Sequence, residues 1–158
     1  MTKLFLSLHV LAAIVAVGPV TVAASMFPAT LRRALGDCGD GDARTTLRTL
    51  HRICRVYAGL GIAVPLFGFA TASSLGVLGD AWLIISILLT AAAAGVLALL
   101  ILPAQDSALA ETTSSASPSP APTPPTPGRI AMLTGIFNLL WATVTVLMII
   151  RPGSTTGV

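Results

Sequence analysis

The chain of 158 residues is 54% hydrophobic and only 9% charged, with a mean hydropathy of +0.89. A water-soluble domain carries about a quarter charged residues, so an ordinary soluble globule is excluded, and the apolar excess excludes disorder over most of the length. The net charge of +3 is too small to argue for nucleic-acid binding, and two cysteines with two histidines supply neither a disulfide framework nor a zinc-type cluster.

Four stretches, residues 4–27, 56–75, 81–102 and 130–150, are apolar, free of Asp, Glu, Lys and Arg, and long enough to cross a bilayer core that takes about 20 helical residues. Backbone groups cannot go unpaired in lipid, so each stretch is predicted to be a helix. The expected fold is all-α, a four-transmembrane-helix bundle with a basic helical hairpin extension between helices one and two. A rival reading of the first stretch, a cleaved signal peptide, rests on Lys3 and the small residues Ala23, Ala24 and Ser25. The run of about 24 residues exceeds the usual signal core of 7–15, which favours an anchor.

The loop after the first span holds Arg32, Arg33, Arg44, Arg48, Arg52 and Arg55, against Lys3 at the N-terminus and Arg151 near the C-terminus. The positive-inside rule puts this loop in the cytoplasm of a bacterial inner membrane and both termini outside. Cys38 and Cys54 then face a reducing compartment as free thiols. From residue 43 to 57 the apolar positions Leu47, Leu50, Cys54 and Tyr57 recur at helical spacing, with Arg44, Arg48, Arg52 and Arg55 on another side. This pattern predicts a cationic extension of span two, capped by Asp42, facing a matching extension of span one that stops at Gly36. The arginines read either as a topology determinant or as a site for anionic lipid headgroups or an acidic partner. The acids at 37, 40 and 42 lack the closing Glu of a calcium loop and read as a turn.

Residues 104–128, rich in Pro, Ser and Thr, are expected to form a disordered linker. It divides the chain into a three-span part, residues 1–103, and a lone fourth span with a short tail, residues 129–158.

His9 is an ionisable residue inside a span, which makes it a functional candidate by default. Ala13 and Ala16 continue its face, and Thr134, Gly135, Asn138, Ala142, Thr145 and Met148 line one side of span four. His9 and Thr145 lie five residues from the outer ends of their spans, a depth of about 7.5 Å each, which predicts a hydrogen bond between them. The sharper alternative is a haem b or copper site using His9 and Met148. A bis-histidine haem is excluded, because His51 lies beyond the far end of span one, about 27 Å from His9 along the helix. Asn138 needs a partner at its depth, and Gly18-Pro19 with Pro65 predicts a kink in each of the first two spans. Paired kinks can mark a transport site, but no intramembrane charge awaits an ion, and no catalytic motif is present. The sequence therefore favours a structural or accessory protein with no enzymatic centre, as a homo-oligomer or beside a membrane-protein partner, ahead of an oligomeric transporter whose pore Asn138 and the kinked helices would line.

The run Leu6-Ser7-Leu8-His9-Val10-Leu11-Ala12-Ala13-Ile14 with Gly18, and the ending Val146-Leu147-Met148-Ile149-Ile150-Arg151-Pro152-Gly153, resemble the opening and closing patterns of an uncharacterised family of bacterial four-span integral membrane proteins. That resemblance, to a domain of unknown function, implies membrane residence and no activity. The first-span histidine is also similar to that of copper-resistance D proteins and haem-binding four-span protoporphyrinogen oxidases, where it implies a metal or haem ligand. This chain departs from them in having Ala16 where an aromatic residue commonly sits, and Lys3 as its sole lysine.

Overall fold

The computed structural model describes residues 2–36, 41–113 and 126–153, and every regular element among them is helical. These are α1 (Thr2–Gly36), α2 (Gly41–Leu60), α3 (Ala63–Leu75), α4 (Ala81–Gly95), a π-helical segment (Val96–Ile101), α5 (Leu102–Thr113) and α6 (Pro127–Ile150). End to end they make four rods long and apolar enough to cross a membrane: Thr2–Gly36, Gly41–Leu75, Ala81–Thr112 and Pro127–Ile150. Large apolar side chains such as Ile14, Ile62, Leu88, Leu99, Leu139 and Ile149 point outward on all four rods. A water-soluble surface does not tolerate apolar patches of that extent, whereas lipid solvates them without cost.

The first three rods are longer than the bilayer needs. At about 1.5 Å per residue, 35 residues span roughly 52 Å against a hydrocarbon core of about 30 Å. The surplus lies at one end, where Leu31 and Ala34 of α1 pack with Ala43, Leu47, Leu50 and Cys54 of α2, Ala108 of α5 and Ile130 of α6. The basic hairpin is thus joined by a third helix. The first ten residues of the expected linker, 104–113, are helical, because Gln105 and Ala108 bury themselves against α2. Residues 114–125 and Cys38 lie outside the described residues. Asp42 sits inside the first turn of α2, where a carboxylate favours the helix dipole, rather than at the cap position before Gly41.

Proline acts differently in each rod. α1 continues as helix through Pro19 and Pro28, unbroken at Gly18-Pro19. Span two does break, at Gly61-Ile62. Pro65 has no N–H to offer the Gly61 carbonyl, which accepts from the Val64 N–H at 3.1 Å instead. In span three the helix widens into the π segment just before Pro103, and the Leu102 N–H reaches back five residues to the Leu97 carbonyl. Widening relieves the clash that the proline ring would otherwise make with the preceding turn.

At the opposite end of the bundle, Gly76 ends α3 in the left-handed region (φ 70°), where a side chain would be strained. Asp80 accepts the Trp82 indole N–H at 2.9 Å, and the Arg151 guanidinium lies 5.5 Å from the Trp82 ring centre. An aromatic ring with a charge on each side suits the membrane–water boundary.

Candidate functional site

His9 reaches span two and not span four. Its Nδ1 lies 2.9 Å from the Val64 carbonyl oxygen, and since that oxygen can only accept, Nδ1 carries the proton. The ring packs against Gly68, where an added Cβ would fall 2.9 Å from Cε1 and 3.0 Å from Nδ1. Thr145 turns its hydroxyl to the Trp141 carbonyl of its own helix, at 2.9 Å. The expected His9–Thr145 bond is therefore corrected. Two physical reasons stand behind this: α1 and span two pack along their lengths as an antiparallel pair, and a helical threonine satisfies its hydroxyl locally. His9 thus meets α3 at Gly68, while Met148 packs on the separate cluster of Ala72, Trp82 and Leu83. Among the described residues no group of three or more His, Cys, Asp and Glu is gathered.

Span four presents only part of the expected side, since Thr134, Asn138 and Met148 make inter-helix contacts. Its buried residues are Ile130, Leu133, Thr134, Phe137 and Val144, while Gly135, Ala142 and Thr145 face outward. Bulky Phe137 and Leu133 fill the space against Val20, Ala93, Leu97 and Ile101, and this turns the small residues towards lipid. Thr134 donates to the Ala24 carbonyl at 3.5 Å, and Asn138 Nδ2 donates to Ser25 Oγ at 3.4 Å, tying α6 to α1 on adjacent turns. Asn138 Oδ1 and the Trp141 indole N–H are buried without a partner among the described residues.

A second polar constellation lies at the extended end, between α2 and α5. Gln105, fully buried, accepts from His51 Nδ1 at 3.1 Å and donates Nε2 to Cys54 Sγ at 3.7 Å. His51 Nε2 comes within 3.0 Å of the largely exposed Asp106 carboxylate, close enough for a charge contact but not aligned as a hydrogen bond. This cluster carries α5 onto α2. The sequence held one clue to it, Gln105-Asp106 as a polar pair ahead of the proline tract, but that pair sat inside a segment that composition assigned to a linker.

The arginines complete the picture. Arg48, Arg52 and Arg55 are exposed along one face of α2, Arg44 is half-buried, and Arg32, Arg33 and Arg129 are exposed at the same end of the bundle. Arg129 had no place in the expected pattern, because it follows the linker instead of the first loop.

Against this geometry, one family model matches residues 3–152, described as "Predicted integral membrane protein (DUF2269)". The chain belongs to that family. Its four apolar helices agree with the description, and the DUF2269 match covers nearly the whole sequence, including His9, Asn138, Met148 and the arginine face. No curated protein and no solved structure matches the chain.

Proposed function

We propose that this chain is an accessory protein of the bacterial inner membrane, held with its basic helical end in the cytoplasm, where α2 engages anionic lipid headgroups. The observation that carries the reading is the exposed face of Arg48, Arg52 and Arg55, none of which pairs with an acid among the described residues. Arg48 and Arg55 stand about 10 Å apart along the axis, with Arg55 nearest the apolar span. Each contributes about 1 kcal/mol at an anionic surface. The bundle end that bears them also carries Arg32, Arg33, Arg44 and Arg129, against Lys3 and Arg151 at the other, which favours this orientation.

Replacing Arg48, Arg52 and Arg55 together with glutamine is expected to strip anionic phospholipid from the detergent-purified protein while leaving its helix content unchanged. Equal retention by both proteins, measured by lipid mass spectrometry, overturns the headgroup reading. Sidedness is checked at Cys38. An impermeant thiol reagent should label it only after the cells are opened, and labelling in intact cells reverses the topology.

A second reading, a haem- or copper-handling role for His9, is favoured by one feature. With Nδ1 donating to a backbone carbonyl, the neutral ring keeps its lone pair on Nε2, the arrangement in which a ligating histidine is usually held. A Soret band or bound copper that disappears in His9→Ala supports it. Colourless, copper-free protein from haem- and copper-supplemented cells removes it.

A further inference from the structure

A cavity of about 180 Å³ opens sideways in the bundle where span two breaks. Ala16 of α1, Ala58 and Gly61 of span two and Ala94 of α4 leave the room, and Phe137 and Trp141 of α6 form the far wall. A dry cavity of about 150 Å³ already accepts a small apolar molecule, so this one is large enough for a segment of hydrocarbon. Its position narrows the choice. Ala58 and Ile62 line it, and Arg55 stands one turn before Ala58 on the same side of α2. Arg129 precedes Thr134, which meets Ala24 of α1, so it stands on the same basic side of the cavity as Arg55 but further out. Along the helix axis Tyr57, part of the cavity wall, follows Arg55 and precedes Ala58, and its hydroxyl makes no hydrogen bond among the described residues, whereas the Thr90 hydroxyl is already committed to the Ser86 carbonyl at 2.7 Å.

Cation, free hydroxyl and apolar slot therefore follow one another from the boundary inward, in the order in which a phospholipid presents phosphate, ester and chain. We infer that the cavity takes one acyl chain of an anionic phospholipid, its ester region at Tyr57 and its headgroup at Arg55. This rests on the headgroup reading of the arginine face and adds to it a defined seat for the chain. A ring-shaped apolar molecule would fill the volume but would leave the arginines and the lateral opening without a role.

The test uses the full-length Trp82→Phe protein, which leaves Trp141 in the cavity wall as the one indole. It is reconstituted in phosphatidylcholine vesicles containing a minor fraction of acyl-brominated phosphatidylglycerol or, separately, of acyl-brominated phosphatidylcholine. Bromine quenches a nearby indole, so brominated phosphatidylglycerol should quench Trp141 at the lower fraction, by about fivefold for the arginine it meets. Arg55→Gln should bring the two lipids together, and filling the slot with Ala94→Leu or Ala58→Leu should weaken quenching by both. Equal quenching by the two lipids, or quenching that neither filled variant alters, overturns the proposal. If the triple arginine variant loses bound anionic lipid while the filled variants quench like the parent, the headgroup reading stands and the acyl seat falls.

Discussion

Gly68→Ala is expected to destabilise the protein by about 1–3 kcal/mol, a large effect for a single methyl group. The new Cβ would fall 2.9 Å from His9 Cε1, so the imidazole must move, and it cannot do so without stretching its 2.9 Å contact with the Val64 carbonyl. Inter-helix hydrogen bonds of this kind contribute about 1 kcal/mol in a membrane, and the displaced ring also loses its packing on α3. The cause is specific enough to be isolated by a double-mutant cycle. His9→Ala should cost about 1 kcal/mol alone and should make Gly68→Ala nearly neutral, because the group that collides has gone. Reversible unfolding in mixed detergent micelles gives the four free energies. Strict additivity of the two substitutions would mean that ring and glycine do not meet.

The second large effect belongs to Gln105. Removing it with Gln105→Ala should cost about 3–4 kcal/mol, the sum of a cavity in a fully buried site and an orphaned His51 Nδ1. The loss should concentrate where the residue acts. Hydrogen exchange should accelerate over α5 and the start of α2 well before the membrane-embedded helices respond. Replacing both partners, as His51→Leu with Gln105→Leu, should recover most of the stability, since two apolar groups of similar volume leave no donor unpaired. Asp106→Asn serves as a control. Its carboxylate is largely exposed, so its contact with His51 should contribute less than about 1 kcal/mol. Should Gln105→Ala leave α5 as protected as before, the buried amide is not what fastens it.

Several elements were legible from residue order. Hydropathy located all four rods, since an uncharged run of about 20 residues has no alternative to a helix in lipid. The helical period of Leu47, Leu50 and Cys54 against the arginines marked α2 correctly, because that segment meets water on one side and a core on the other. Misjudged elements share a cause. Within the spans, lipid is as apolar as leucine, so polarity does not distinguish a residue facing the bundle from one facing the bilayer. Gly135, Ala142 and Thr145 consequently looked like an interface and turned outward.

By itself, then, the sequence determined the medium, the class of fold and the end at which cationic charge collects, all of which follow from transfer free energies summed over long segments. Only the tertiary structure decided that His9 meets Val64 and Gly68, that Gln105 draws α5 out of the proline-rich tract onto α2, and that small residues from separate helices leave a cavity beneath Arg55. Those outcomes depend on the volumes of side chains far apart in the chain and on where Pro65 and Pro103 displace the backbone, which no local pattern encodes.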